Sequence, residues 1–312
     1  YIVPVGDIEP ENIHTYGMCV DYIVGASPHN QRPVARLVGQ GLAEALGQPV
    51  VVENVPGANG AIGASRVAAA ANDGYTLLFG TAGTQAINPS LYRNLSEKSL
   101  DDFEYVALVT SIPNVLVVNE SKTPVKSVAE LVSYARERRA GMSYGSPGMG
   151  STVHLSGELL KSAAKLDLVH APYKGSAPAL MDLVGGNLPI MFDAYASSGP
   201  FIRENKIRLL AVTTARRSKL LPDTPTVAES GLPGYEAMPW LGLVAPTGTP
   251  APVVHKLHAT LQDVLKEQAI QEKFASLGLE IIGNTPEEFA AFLKKDIAKW
   301  GKVVKESGAK VD

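Results

Sequence analysis

The stretch YGSPGMGSTVHL (residues 144–155) joins a short segment of strand type to the start of a helix through glycine and serine. The first four N–H groups of an α-helix lack partners inside the helix, and that end carries a partial positive charge. Gly145, Gly148 and Gly150 allow the backbone to bend close to a ligand. The stretch therefore fits an anion-binding turn. An ordinary strand-to-helix turn capped by Ser151 is the alternative, and this stretch alone leaves both open.

The order of strand followed by helix repeats along most of the chain. Helical spacing of apolar residues is clear at 33–46, with Gly47 as a natural end, and the last helix opens with the capping box TPEE (285–288). This alternation predicts an α/β fold with doubly wound parallel sheets, covered by helices on both faces. Apolar β-type segments fall at residues 49–54, 75–81, 114–118, 142–146, 167–173, 188–193, 207–214 and 240–246.

A chain of 312 residues with about ten strands is long enough for two domains, each with its own sheet. Two segments without clear periodicity, near 108–114 and 222–239, would carry the chain from one sheet to the other. The prediction is a discontinuous first domain, an inserted second domain of ordinary size, and a leader of uncertain origin. Their bounds are residues 20–110 plus 236–312, residues 111–235, and residues 1–19.

Composition and charge exclude several classes of protein. The chain carries 28 Lys and Arg against 31 Asp and Glu, a net charge of -3, and no basic patch that would bind nucleic acid. Cys19 is the single cysteine, so we expect neither a disulfide within the chain nor a Cys-rich metal site. No apolar run approaches the ~20 residues that cross a bilayer, and residues 1–20 show no signal peptide.

Motifs for familiar enzyme chemistry are absent from the sequence. It has no Gly-x-Ser-x-Gly elbow, no His-Glu-x-x-His and no P-loop. Gly148 and Gly150 follow a strand as in a dinucleotide fingerprint, but Val153 stands where the third glycine belongs. We therefore expect no cofactor and no bound metal.

Two pairs of residues that include histidine allow a second interpretation. Ser151 and His154 are three residues apart, which fits a nucleophile with its base or, more commonly at a helix start, a cap and a first-turn residue. His255 and His258 are also three apart, on a helix rich in Lys and Gln, which favours a solvated face over a metal site.

Small polar residues follow several other predicted strands. Thr81, Thr84 and Gln85 come at the end of one strand, Tyr173 ends a second, and Asp193 ends a third. In open α/β sheets, ligands bind beyond the carboxyl ends of the strands. Because no set of metal ligands or nucleophiles accompanies these residues, the pattern favours a binding cleft between two domains over a catalytic site.

The residues quoted so far belong to a longer series of segments that resembles one family. The chain is similar to the substrate-binding proteins of bacterial tripartite tricarboxylate transporters, the Bordetella uptake gene family. Eight blocks in order carry the resemblance, which makes it far more specific than a single motif. They are residues 46–81, 86–92 (AINPSLY), 113–119 (PNVLVVN), 144–159 (YGSPGMGSTVHLSGEL), 171–186 (APYKGSAPALMDLVGG), 209–236, 242–250 (GLVAPTGTP) and 285–308.

The resemblance implies a periplasmic protein of type II periplasmic-binding-protein architecture, with two doubly wound α/β domains joined by a hinge. It implies a small carboxylate as the ligand: a di- or tricarboxylate, an acidic amino acid or an aromatic acid. It implies that backbone N–H groups, hydroxyls and waters hold the ligand, and that a two-subunit membrane permease receives it. It implies neither enzyme activity nor a cofactor.

Ligand-binding residues follow from this resemblance and from the polar strand ends. Asp193 is expected to face the distal end of the ligand. The expected set is Ser27, His29, Thr81, Thr84, Gln85, Ser146, Gly148, Gly150, Ser151, Thr152, Tyr173 and Asp193.

The loop before the first helix departs from the family pattern. The family has Pro-Gly-Gly and, three residues later, Asp, whereas this chain has Ser27, Pro28, His29 and Arg32 at those positions. Pro28 has no N–H to donate, and His29 cannot bend as glycine can. Either His29, Asn30 or Arg32 contacts an unusual ligand, or residues 1–32 are not the family's native N-terminus, or binding is lost.

An enzyme of the same architecture, acting on a small organic acid, is the alternative function. It would need a general base, for which His154 and Asp193 are the candidates.

Overall fold

The computed structural model describes residues 22–25, 32–55, 57–92, 100–138 and 141–308. Eleven strands in these residues form two separate sheets. The predicted leader, residues 1–19, and the first-loop residues Ser27 and His29 lie outside the described residues.

The first sheet contains six of the strands. They are β1 (Tyr22–Gly25), β2 (Val51–Asn54), β3 (Thr76–Thr81), β4 (Phe103–Ser111), β10 (Trp240–Pro246) and β11 (Glu280–Ile281). Their order across the sheet is β11-β4-β10-β3-β1-β2. β1 pairs in parallel with β2 and β3, whereas β10 runs antiparallel to β3 and β4.

The second sheet contains the other five strands. They are β5 (Asn114–Val118), β6 (Met142–Ser146), β7 (Leu168–Pro172), β8 (Ile190–Ala194) and β9 (Arg208–Val212). Their order is β7-β6-β8-β5-β9. β6 is parallel to β7 and β8, whereas β5 is antiparallel to β8 and β9.

Both sheets are therefore mixed, and the prediction of purely parallel sheets is wrong. β5 and β10 are the strands by which the chain enters the second sheet and returns to the first. Each of these two strands begins at the edge of its sheet where the parallel strands end. It therefore runs antiparallel to the strands that the β-α-β units form. The doubly wound α/β class itself is confirmed.

Helices cover the faces of both sheets. They are α1 (Arg32–Leu46), α2 (Ala61–Ala68), α3 (Asn88–Leu91), α4 (Val128–Glu137), α5 (Thr152–Ala164), α6 (Ser176–Gly185), α7 (Tyr195–Arg203), α8 (Ala251–Lys266), α9 (Gln268–Ser276) and α10 (Pro286–Ser307). A 3₁₀ turn (Ala58–Gly60) precedes α2, and a π-helix (Gly83–Ile87) precedes α3.

The predicted helix ends are confirmed where a cap signal was present in the sequence. Gly47, directly after α1, has φ of 68°, a backbone conformation that glycine adopts at little cost. At the start of α10, Thr285 and Glu288 form the reciprocal capping box.

Of the two segments predicted to be irregular, one is confirmed and the other is not. The stretch near 108–114, predicted to be irregular, is mostly strand: β4 continues to Ser111, and β5 begins at Asn114. In the stretch 222–239, a bridge from Thr226 to Val212 is the only strand-type pairing, so that prediction is confirmed.

The connections between the sheets place their carboxyl edges next to each other. β4 ends at the carboxyl edge of the first sheet. Only residues 112–113 separate it from β5, which begins at the carboxyl edge of the second sheet. The chain returns through residues 213–239 to β10. One hydrophobic cluster spans both sheets, because it includes Leu78 of β3 and Phe192 of β8. The domain boundaries after residues 110 and 235 stay a prediction.

Candidate functional site

The segment between β6 and α5, called here the Gly-rich turn (residues 145–152), lies at the carboxyl edge of the second sheet. Ser151 is the N-cap of α5: its Oγ accepts a hydrogen bond from the His154 N–H at 3.2 Å and donates one to the Gly148 carbonyl at 2.8 Å. Gly150 has φ of 71°, which favours glycine. The role of Ser151 as a helix cap is therefore confirmed.

Some N–H groups of the Gly-rich turn bond within the turn, and others do not. The Gly148 N–H donates to Ser146 Oγ at 3.3 Å, and the Gly150 N–H donates to His154 Nδ1 at 3.2 Å. The N–H groups of residues 151–153 have no hydrogen-bond partner among the described residues. The unpaired N–H groups of this region are thus on the first turn of α5 and not on Gly148 or Gly150.

Two stacked imidazole rings are hydrogen-bonded to the Gly-rich turn. The rings of His154 and His170 stack with centroids 3.9 Å apart, and His170 Nε2 is hydrogen-bonded to Ser146 Oγ at 2.7 Å. Burial lowers the pKa of His154, and burial and the neighbouring His154 lower the pKa of His170 to about 3. Both rings are therefore neutral at pH 7.

This bonding does not favour the nucleophile–base interpretation of Ser151 and His154. The Ser151 hydroxyl donates to the Gly148 carbonyl, and His154 Nδ1 accepts the Gly150 N–H. The hydroxyl proton of Ser151 is therefore not directed at His154, and the Nδ1 lone pair of His154 is not directed at Ser151, as nucleophilic catalysis would require.

The loop after β7 is bonded directly to the Gly-rich turn. The Tyr173 N–H donates to the Ser146 carbonyl at 3.0 Å, and the Gly175 N–H donates to the Pro147 carbonyl at 2.9 Å. The Tyr173 hydroxyl, however, donates to Asp182 of α6 at 2.8 Å. The structure brings Tyr173 to the turn through its backbone.

On the first sheet, Thr81 and Thr84 bond mainly to each other. The Thr81 N–H donates to Thr84 Oγ1 at 2.8 Å, and the Thr84 N–H donates to Thr81 Oγ1 at 3.0 Å. Gln85, the next residue, packs over Gly80 of β3 and is 1% exposed. Neither the oxygen nor the nitrogen of its amide has a partner among the described residues.

α3, the helix that follows the polar end of β3, lies against the Gly-rich turn although β3 and β6 belong to different sheets. A Cβ on Gly150 would lie 2.7 Å from Leu91 Cδ2, and Leu91 ends the helix that follows Thr81, Thr84 and Gln85. That the residues predicted on the two sheets contact one ligand stays a prediction.

Asp193 is completely buried at the end of β8. Its Oδ1 accepts the Ser176 hydroxyl at 2.6 Å and its Oδ2 accepts the Ser198 hydroxyl at 2.7 Å, so it fixes the starts of α6 and α7. Burial raises the pKa of Asp193 to about 6, and the two serine hydrogen bonds oppose that shift. Contact between Asp193 and the far end of a ligand stays a prediction.

Sequence reasoning missed two residues of this region, Asn114 and His170. Asn114 opens β5, is completely buried, and has no partner for either end of its amide among the described residues. His170 lies two residues after Leu168 in β7, on the inward side of a strand. A polar residue at an inward position of an apolar strand was the signal present in the sequence.

The residues that the structure describes contain no candidate metal site and no candidate membrane-spanning helix. In residues 32–308, outside the gaps named above, no three His, Cys, Asp or Glu side chains form a group that could hold a metal ion. Over the same residues, no helix combines the length and apolar character needed to cross a membrane.

Two mixed α/β sheets joined at neighbouring carboxyl edges, as in this chain, are the architecture of periplasmic solute-binding proteins. The chain belongs to the tripartite tricarboxylate transporter family receptors, which it matches over residues 34–309. This confirms the family suggested by the sequence blocks.

Relatives of known structure or name resemble the chain over most of its length. The protein BugT of Bordetella pertussis is 34% identical over 316 residues, covering 100% of this chain and 96% of BugT. The structure of R. palustris Rpa4515 with adipate has a TM-score of 0.79 and 39% identity, over 92% of this chain and 97% of that one. MatC from Rhodopseudomonas palustris with bound malate has a TM-score of 0.76 and 33% identity, over 93% and 100%.

Proposed function

We propose that this protein is a periplasmic receptor that binds a small carboxylate in the cleft between its sheets and delivers it to the two-subunit permease of a tripartite tricarboxylate transporter. Residues 20–110 plus 236–312 would form one domain and residues 111–235 the other. Hinge closure around the ligand would give the form that the permease recognises.

The observation that carries the proposal is the first turn of α5. Its N–H groups at residues 151–153 have no partner among the described residues, and they lie at the N-terminus of a 13-residue helix. Unpaired N–H groups and the helix dipole together favour an anion at this position. Leu91 of α3 lies against the same turn, so an anion here would lie beside the first sheet as well.

The chemistry of the cleft supports an exchangeable ligand. The groups around the Gly-rich turn are amides, hydroxyls and two imidazoles whose pKa values burial lowers, so no formal counter-ion of theirs is buried with the acid. Binding by neutral dipoles avoids the desolvation of a cation and keeps release easy. Adipate and malate, the ligands of the two similar structures named above, are both dicarboxylates.

Thermal unfolding with a panel of acids tests this proposal. The panel contains malate, adipate, citrate, glutamate and benzoate, which cover the acid types that the family resemblance implies. An acid at ~100-fold above its Kd should stabilise the protein by about 2.7 kcal/mol. A melting temperature that no acid raises, up to millimolar concentration, would contradict the proposal.

The enzyme alternative has no observation in its favour. His154 Nδ1 accepts a backbone N–H, and both oxygens of Asp193 accept serine hydroxyls, so neither candidate base is unoccupied. Incubation of the protein with the same acids, followed by product analysis, tests the alternative. Turnover that disappears in His154→Ala would support an enzyme.

A further inference from the structure

Two buried amide side chains have no hydrogen-bond partner for either end in the described part of the chain. They are Gln85, which is 1% exposed, and Asn114, which is 0% exposed. A buried amide that lacks all its hydrogen bonds is costly, because it has left water without compensation. Folded proteins therefore rarely keep such groups unless a bound molecule completes them.

Other buried amides near these two are fully paired. The Asn119 side chain, just after β5, donates to the Leu183 carbonyl at 2.8 Å, and its Oδ1 accepts the Ser121 hydroxyl at 2.6 Å. Asn88, in α3, accepts from Asn59 Nδ2 at 2.9 Å. The fold thus pairs buried amides where it uses them for structure, and Gln85 and Asn114 are different.

Strand alternation defines the face on which Asn114 lies. Asn114 is the first residue of β5, so its side chain shares a face with Leu116 and Val118. Both belong to the hydrophobic cluster that spans the two sheets. Asn114 pairs with Ala194 at the carboxyl edge of the second sheet, at the point where the chain enters from β4.

Gln85 lies on the corresponding face of the first sheet. It packs over Gly80, and Gly80 shares a face of β3 with Leu78. Leu78 belongs to the same cluster, as do Leu91 and Val153, which flank the Gly-rich turn. The two incomplete amides therefore border the same hydrophobic cluster as the Gly-rich turn.

We infer that Gln85 and Asn114 determine ligand specificity, by pairing with a second polar group of the acid whose carboxylate binds the Gly-rich turn. The inference rests on the proposed function. An amide offers two donors and one acceptor oxygen. A second carboxylate accepts from the amide nitrogens, and a hydroxyl pairs with either end, whereas an alkyl tail completes neither. The preferred ligand is then a diacid or hydroxy acid rather than an acid with an apolar tail.

Calorimetric titration with matched acids tests the inference. Succinate and butyrate form one pair, and adipate and hexanoate form another, each of equal chain length with and without the second carboxylate. The variants Gln85→Met and Asn114→Leu keep the approximate shape but remove the hydrogen bonds. We expect wild type to prefer the diacid by about tenfold or more, and each variant to lose most of that preference while its affinity for the monoacid changes less than about twofold.

Asn119→Leu is the matched control, because it removes a buried asparagine, directly after the same strand, that is fully paired. It should leave the preference for the diacid unchanged and lower the melting temperature of the ligand-free protein. Asn114→Leu and Gln85→Met should leave that melting temperature equal or higher, since they remove groups that only the ligand completes.

The possible outcomes separate this inference from the proposed function. If wild type binds none of the acids, the proposed function fails and the inference fails with it. If wild type binds but does not prefer the diacid, or if the variants keep the preference, the inference alone is wrong. A ligand-free melting temperature that falls as far as in Asn119→Leu, with the preference unchanged, would assign both amides a structural role.

Discussion

The imidazole of His154 on α5 stacks on that of His170 in β7, with ring centroids 3.9 Å apart and ring planes 28° from parallel. Each ring also bonds to the Gly-rich turn, His154 through the Gly150 N–H and His170 through the Ser146 hydroxyl. A second proton on His154 would fall on the nitrogen that accepts the Gly150 N–H, and two charged rings would repel each other. The shape of the turn is therefore coupled to the protonation of this pair.

The stability of the protein should fall as the pH falls below about 6.5. The folded-state pKa of His170 is lowered to about 3 and that of His154 is also lowered, from an ordinary value of 6.5. Below pH 6.5 the unfolded chain therefore binds more protons than the folded one, and the slope approaches about 1.4 kcal/mol per pH unit for each proton. Urea denaturation at pH 7, 6 and 5 measures this slope, and His154→Gln/His170→Gln should make it shallower.

Asp193 provides the control for that experiment, because it acts in the opposite direction. Its pKa is raised from an ordinary 3.8 to about 6, so the folded protein takes up a proton first as the pH falls between about 6 and 4. This uptake adds stability on acidification. Asp193→Asn should therefore make the loss of stability steeper over that window. An identical pH slope in wild type and the double histidine variant would contradict the account.

Ser151→Ala should lower both stability and ligand affinity. Removal of an N-cap costs about 1 kcal/mol. Loss of the hydroxyl that holds the Gly148 carbonyl should raise the Kd for the bound acid by about threefold to tenfold. Ser127→Ala removes the equivalent cap of α4, where Ser127 Oγ accepts the Glu130 N–H at 3.1 Å. It should cost similar stability and leave the Kd unchanged. An unchanged Kd in Ser151→Ala would show that this serine acts only as a helix cap.

Gly157→Ala should destabilise the protein although alanine is the better helix former. A Cβ on Gly157 of α5 would lie 2.0 Å from Cε2 of the completely buried Tyr144 ring. Overpacking of this kind costs about 1–3 kcal/mol. Gly301→Ala in α10 is the control, because its Cβ would meet only the Ser90 hydroxyl at 3.0 Å. It should be neutral or stabilise by up to about 1 kcal/mol. Equal free energies of unfolding for the two variants would refute the prediction.

Asp296→Ala should cost about 1–3 kcal/mol, because it leaves the buried indole N–H of Trp240 without its acceptor and breaks the hydrogen bond that joins α10 to β10. Asp296 Oδ2 accepts the Trp240 indole N–H at 2.8 Å, and Oδ1 lies 2.7 Å from Lys299 Nζ. Asp263→Ala removes an exposed pair with Lys266 on α8 and should cost less than about 1 kcal/mol. Chemical denaturation measures the free energy of unfolding of both variants. If Asp296→Ala loses no more of it than Asp263→Ala does, the contacts of Asp296 do not stabilise the packing of α10 on β10.

The order of elements was predictable wherever one residue pattern decided a segment. The strand-type segment 114–118 and the capping box at Thr285 lie where the sequence puts them. Strand direction was not predictable in the same way. Whether a strand runs parallel or antiparallel depends on the edge at which the chain enters the sheet, and this is set by the crossings at residues 112–113 and 213–239.

The candidate site was predictable in its backbone and less so in its side chains. Glycine and serine at 145–152 predict a turn before a helix, and the structure has a turn at these residues. The turn is also bonded through the Ser146 hydroxyl to His170, and that residue comes from the next strand. Asn114 was missed because its signal, a polar residue at an inward position of an apolar strand, is one residue and not a repeated pattern.

A crystal structure of the protein grown with the acid that most raises its melting temperature tests the central claim directly. We predict that one carboxylate oxygen lies within about 3.2 Å of a backbone N–H of residues 151–153, in the cleft between the carboxyl edges of the two sheets. An acid bound elsewhere, or held by an Arg or Lys side chain while those N–H groups point away from it, would contradict the account.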